Sequence, residues 1–207
     1  MTSSNAQNHP VDNARLPFDG VIFDMDGTLI EPLLDFSAIR ADLGIPAGLD
    51  ILQAIEQLPQ SQRQQTYNRL LNHELSAARK ARLMPQAKET LKAISQAGLR
   101  TALLTRNAAP AMRLVLDRLG LRFDLTWSRE DGPIKPQPDG ILLACRELGI
   151  SPARTLCVGD YEYDLIAANA AGAASVLFAP NGGGSFTDLA RFVIAELPQL
   201  LTLLEIK

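Results

Sequence analysis

Four times in this chain a stretch with helical spacing of apolar residues closes on a glycine and hands over to a short apolar run. AKETLKAISQAGL, APAMRLVLDRLGL, PDGILLACRELGI and DLIAANAAG repeat apolar side chains at i, i+3, i+4 and i+7. They end on Gly98, Gly120, Gly149 and Gly172, the residue type best able to leave a helix in the left-handed conformation. The runs that follow are Thr101–Thr105 (TALLT), a weaker one at Phe123–Thr126, Thr155–Val158 (TLCV) and Ala174–Phe178 (ASVLF), and GVIFD, just after Phe18, precedes them all. Strands are this continuously apolar when helices cover both faces of a sheet. Strand, helix, glycine, strand is the order of a right-handed parallel crossover. The fold class is therefore α/β with a doubly wound parallel sheet, and ligands on such sheets bind beyond the carboxyl ends of the strands.

One interval departs from the rhythm. Between about Glu31 and Met84 no strand-like run occurs, and FSAIRADLG, LDILQAIEQL and QRQQTYNRLLNHELSAARKARL all read as helices. This all-helical insertion follows the first strand and is bounded by Pro32 and Pro85, which puts it at residues 32–85 and the α/β core at 17–31 and 86–207. Residues 1–16, rich in Ser, Asn and Gln and without apolar period, read as a mobile tail that includes His9. The glycines of Gly182–Ser185 lack both a following Lys-Ser/Thr and a GxGxxG spacing, so they read as a loop rather than a phosphate cradle.

Composition narrows the partners. At a net charge of −3 over 207 residues the chain lacks the global positive field that steers proteins to nucleic acid. No run approaches the roughly 18 apolar residues of a membrane span, and the polar N-terminus has no apolar segment ahead of a cleavage site, which predicts a cytoplasmic protein with no membrane partner. Cys145 and Cys157 both sit in apolar stretches outside any Cys/His cluster and read as buried free thiols.

Reactive side chains stand at the strand ends. The first strand runs into Asp24-Met25-Asp26-Gly27-Thr28, the second into Thr105-Arg106-Asn107, and the fourth into Gly159-Asp160-Tyr161-Glu162-Tyr163-Asp164. Lys135, in IKPQP, precedes the last of these, at the start of a helix whose first turn is marked by prolines. A doubly wound sheet brings these points to one edge, where clustered carboxylates repel unless they share a hard cation, and oxygen-only ligands suit Mg²⁺. Carboxylates, Mg²⁺, Lys and Thr together suit phosphoryl transfer, in which catalysis is mostly positioning and charge neutralisation. A carboxylate at the first strand tip can act as nucleophile, with the one two residues on as acid and base.

DxDGT, a strand-end Thr, Lys in KPxP and GDxxxD followed by AAxxAG, in that order over about residues 18–180, resemble the haloacid dehalogenase superfamily in its phosphatase branch, close to phosphoglycolate phosphatases. The resemblance implies a Rossmann-like core with a small helical cap after the first strand, acting on a small phosphorylated metabolite. It implies Asp24 as nucleophile and Asp26 as general acid/base. Mg²⁺ would be held by the Asp24 carboxylate, the Asp26 backbone carbonyl and Asp160, with Asp164 in support through water or Lys135. It assigns phosphate oxygens to Thr105 and the backbone at Arg106 and Asn107, and gives Lys135 the task of balancing the nucleophile's charge. Two departures from the family pattern stand out: Tyr161 occupies a position where a small Ser is common, and the insertion is short for such a cap.

Competing readings use the same residues. Asp26 argues against dehalogenation, which needs no protonation of a leaving alkoxide. A phosphomutase of the same superfamily keeps Asp26, although DGTL favours hydrolysis. A non-catalytic aspartyl-phosphate signalling or binding protein would also carry Asp, Thr and Lys, but a receiver domain has its acidic pair ahead of the phosphoaccepting Asp and has no insertion after the first strand. Asp164 could alternatively serve only the positive end of its own helix. His73 reads as a surface or packing residue. Arg63, Arg69, Arg79, Lys80 and Arg82 stand against the single acid Glu74 and read as a solvated helix face, unless one or two of them turn to the strand tips to hold a second substrate charge.

Overall fold

The computed structural model describes residues 17–182 and 185–206; the expected N-terminal tail and two glycines of the Gly182–Ser185 loop lie outside the described residues. Six parallel strands form one sheet: β1 (Gly20–Phe23), β2 (Arg100–Leu104), β3 (Leu125–Trp127), β4 (Thr155–Gly159), β5 (Ala174–Phe178) and β6 (Phe192–Ile194), in the order β3-β2-β1-β4-β5-β6. The chain leaves β1 in one direction across the sheet and returns to its other side with β4, so β1 is the switch point where ligands bind on this architecture.

Alternation along the strands divides the core into two layers. Val21 and Phe23, with Leu103, Val158 and Val176, face α4 (Ala87–Gln96), α5 (Ala109–Leu119) and α8 (Gln199–Leu203). Ile22, Ala102, Leu104 and Cys157 face α6 (Asp139–Leu148) and α7 (Glu162–Ala170). Cys145 and Cys157 are free and buried, and burial raises both thiol pKa values.

Between β1 and α4 lie α1 (Phe36–Leu43), α2 (Ile51–Glu56) and α3 (Gln60–Lys80), which enclose a separate small core of Ile39, Ile51, Leu52, Ile55 and Leu70. Asp35 and Asp50 start the first two helices by accepting from the amides of Ala38 and Gln53 at 2.9 Å each. The two connecting segments are paired rather than separate: Glu31 N donates to Arg82 O and Met84 N to Leu29 O, both at 2.9 Å. The far end of α3 joins the main core through Ala78. His73 sits on α3 with its Nε2 3.1 Å from the Asp42 carboxylate.

Two elements depart from the reading of the sequence. β6 and α8 carry no signal strong enough to have been anticipated, because one is a three-residue strand with Val193 half exposed and the other a five-residue helix. Lys135 lies in the turn before α6, which begins only at Asp139, rather than in the helix's first turn.

Candidate active site

Asp24 is the first residue past β1, and its amide still donates to Val158 O at 2.9 Å. The chain then closes a tight loop, with the amides of Leu29 and Ile30 donating to Met25 O at 2.9 and 3.0 Å. Met25 is fully buried, while Asp24 and Asp26 on either side of it both line the cavity above the sheet. Gly27 has φ 80°, and a Cβ there would overlap the Asp160 carboxylate, so glycine is what lets the first loop meet the fourth strand's end.

Lys135 organises the acids. Its ammonium lies 2.6 Å from Asp24 Oδ1 and 2.6 Å from Asp164 Oδ1, and donates to Leu104 O at 2.8 Å. Burial disfavours this ammonium, but the flanking carboxylates of Asp164 and Asp24 outweigh burial and hold its pKa above the ordinary lysine value. Carboxylate oxygens of Asp24, Asp160 and Asp164 lie within 4.8 Å of one another. Burial pushes Asp24 up to about 6, with Asp164 adding repulsion against the relief from Lys135. Burial and the Asp24 charge push Asp160 up to about 7. Asp26, raised to about 7 by burial and then by Asp24, accepts a hydrogen bond from Asn107 Nδ2 at 2.7 Å.

The fold brings Asp24, Asp26, Thr105, Arg106, Asn107, Lys135, Asp160 and Asp164 to one cavity of about 410 Å³. Asp164 is buried inside α7 and does two things, accepting from Tyr161 N at 3.2 Å as a helix-start acid and pairing with Lys135. The Asn107 amide turns back on Thr105 Oγ1 at 3.2 Å, and the Arg106 side chain reaches out to Asp50 of the insertion at 2.6 Å, stacked 4.7 Å above the Tyr163 ring. Arg79, Lys80 and Arg82 are exposed and do not line the cavity, which returns the basic end of α3 to a solvated face; Arg63 and Arg69 pair with Glu56 and Asp42.

Glu74 is the residue that the sequence concealed. It lines the cavity from α3 while nearly completely buried, forms an ion pair with Arg129 and accepts from Ala108 N at 3.2 Å. Burial raises its pKa, against the pull of Arg129. Its one visible signal is that it is the only acid in a basic helix; its partners lie far away in the chain.

A profile of the haloacid dehalogenase-like hydrolases matches residues 18–172. The chain is 34% identical over 166 residues to a haloacid dehalogenase-like hydrolase domain-containing protein of Arabidopsis thaliana, covering 75% of this chain and 68% of that one. It is 30% identical over 188 residues to N-acetylmuramic acid 6-phosphate phosphatase of Pseudomonas aeruginosa, covering 76% and 80%. Among solved structures, a predicted phosphoglycolate phosphatase from Haemophilus somnus superposes with a TM-score of 0.72 at 23% identity, over 90% of this chain and 98% of that one, which bears on the fold.

Proposed function

The chain belongs to the haloacid dehalogenase-like hydrolases, and from that premise we propose that it is a Mg²⁺-dependent phosphatase hydrolysing small phosphomonoesters through a phosphoryl group carried on Asp24. The observation that carries this reading is the pair of carboxyls around buried Met25. One is aligned by a lysine and the other is pushed up to about 7, where it can both give and take a proton at neutral pH. Residues 32–85 act in this reading as a cap over the strand ends.

The donor set fits a hard dication: carboxylate oxygens of Asp24, Asp160 and buried Asp164 lie within 4.8 Å of one another, and Asp24 and Asp160 are pushed toward protonation by burial and by neighbouring carboxylates. Asp24, Asp160 and the Asp26 carbonyl would hold it, with Asp164 acting through Lys135. When bound, it supplies positive charge to the transferring oxygens.

The chain's own residues do the rest. An Asp24 oxygen attacks phosphorus as the ester P–O bond breaks, and protonated Asp26 gives its proton to the departing oxygen. Asn107 holds the Asp26 carboxyl in place for that transfer. Asp26, now a carboxylate, takes a proton from water as that water attacks phosphorus, and inorganic phosphate leaves with Asp24 restored. Lys135 fixes the Asp24 carboxylate and, with Thr105, offers positive and donor groups toward the phosphoryl group.

Phosphate release from p-nitrophenyl phosphate tests the proposal. Release should require Mg²⁺ and stop on chelation, and an absence of release with Mg²⁺ present would leave a binding protein instead. Asp26→Asn should slow an alkyl phosphate by about 10²- to 10⁴-fold and an aryl phosphate much less, because the aryl oxide leaves without a proton. Equal losses on both would reduce Asp26 to a structural role.

A second expectation concerns pH. Asp24 and Asp160 have native pKa values above their unfolded ones, so the metal-free native state holds extra protons between about pH 4 and 7 and loses stability as pH rises through that window. A dication displaces those protons. At one fixed concentration, a hundredfold above its dissociation constant at pH 8, Mg²⁺ should raise the melting temperature by about 5–10 °C at pH 8 and by clearly less at pH 5.5. Equal gains at both pH values in a thermal-shift assay would contradict the assigned metal ligands.

A further inference from the structure

The cavity has two unlike halves. Its floor is the strand-end constellation of Asp24, Thr105, Lys135 and Asp160. Its roof comes from the insertion and is apolar: Leu34, Phe36, Leu49, Leu52 and Leu70 line it, and Phe36 and Leu49 are 53% and 50% exposed although they face a concave site. Large apolar side chains left open inside a cavity are what a ligand covers. To one side stand two aromatic rings, with Tyr161 edge-on to Tyr163 at 5.2 Å and the Arg106 guanidinium lying over Tyr163. A flat guanidinium and a phenol ring together make a platform of the kind on which another ring stacks.

Most charged groups of the cavity are satisfied by one another rather than held ready for a ligand. Six carboxylates line this cavity against three cationic side chains. Two of the three cations are ion-paired, Lys135 with Asp24 and Asp164 and Arg106 with Asp50 at 2.6 Å, while Arg40 donates to the backbone carbonyls of Leu49 and Phe36 at 3.1 and 3.3 Å. Arg106 Nε is buried and makes no hydrogen bond among the described residues.

We propose that the alcohol half of the substrate is aromatic or otherwise apolar; this rests on the phosphatase reading above. Phosphoglycolate, small and without an apolar group, is then a poor fit to the roof. The substrate class is set by Phe36, Leu49, Leu52, Leu70 and the Arg106–Tyr163 platform.

The test compares two phosphate esters of primary alcohols, benzyl phosphate and phosphoglycolate, and the binding of two matching inert phosphonates, benzylphosphonate and phosphonoacetate, all with Mg²⁺. Benzyl phosphate should have the higher kcat/KM by at least about 10-fold, the discrimination expected for apolar groups seated in an apolar pocket. Benzylphosphonate should bind correspondingly tighter by calorimetry. Leu49→Ser and Phe36→Ser, at exposed positions whose replacement spares the core, should raise KM for benzyl phosphate several-fold and shift phosphoglycolate less. Equal or better handling of phosphoglycolate, or equal binding of the two phosphonates, would overturn the assignment. Tighter benzylphosphonate binding without phosphate release from any ester would uphold the cavity's preference and sink the phosphatase reading alone.

Discussion

Asp24→Asn is expected to lower phosphate release on the order of 10⁴-fold or more, while raising the melting temperature of the metal-free protein. The amide is isosteric with the carboxylate and can still accept from Lys135 Nζ, but it is not a nucleophile. Burial makes ionisation of Asp24 unfavourable in the native state, with a pKa of about 6, so at pH 8 a neutral side chain removes a charge that the fold bears at a cost. Lys135 keeps Asp164 as its partner at 2.6 Å. Loss of activity with gain of stability is the signature of a residue retained for chemistry. Activity above a few per cent of the parent, in protein free of deamidation, would remove Asp24 from the nucleophile's role, and a lowered melting temperature would contradict the charge argument.

The largest stability effect is expected at Arg129→Met. Arg129 and Glu74 form an ion pair whose side chains are only 8% and 3% exposed, and it ties α3 of the insertion to the loop after β3. Removing one member of a buried pair leaves an uncompensated charge and costs about 3–5 kcal/mol, or roughly 6–20 °C in melting temperature for a chain of this size. The double variant Glu74→Gln with Arg129→Met should recover most of the loss. It removes the stranded charge and keeps an amide oxygen for Ala108 N, 3.2 Å from Glu74 in the parent. A single variant within 1 °C of the parent, or a double variant no better than the single, would show that the pair does not join the two parts of the molecule.

The contrast between these two positions explains what the sequence made legible. Asp24, Asp26, Thr105 and Asp160 could be read because each lies at the end of a strand buried on both faces, and burial of that kind writes a nearly continuous apolar run next to the reactive residue. The three insertion helices were legible through their period. Glu74 was not, since a single acid on a helix of basic residues looks solvated, and only the distant Arg129 and Ala108 amide reveal its burial. The same blindness applies to Arg79, Lys80 and Arg82, where spacing along the helix does not tell which side faces the strand ends. β6 escaped for a different reason: an edge strand of three residues, one of them half exposed, has too little apolar length to stand out.

The central place of β1 sets the order in which the molecule can assemble. Gly20 is in register with Arg100 on one side and with Thr155 on the other, so the strand that leads into Asp24 is synthesised first and receives its second neighbour last. Both pairings close long loops, a slow kind of contact to form because chain entropy is spent before any hydrogen bond is gained. The insertion shortens the first of these loops if its own core of Ile39, Ile55 and Leu70 gathers early, bringing Leu29 and Met84 together before β2 has docked. A nascent chain that stops short of Thr155 therefore carries the residues of the DxD loop without the β4 edge that fixes them, and leaves the apolar flank of Val21, Ile22 and Phe23 open to other chains. Asp24, the proposed nucleophile, thus gains its full surroundings only once β4 has been made, and a partly folded chain is an aggregation hazard before that point.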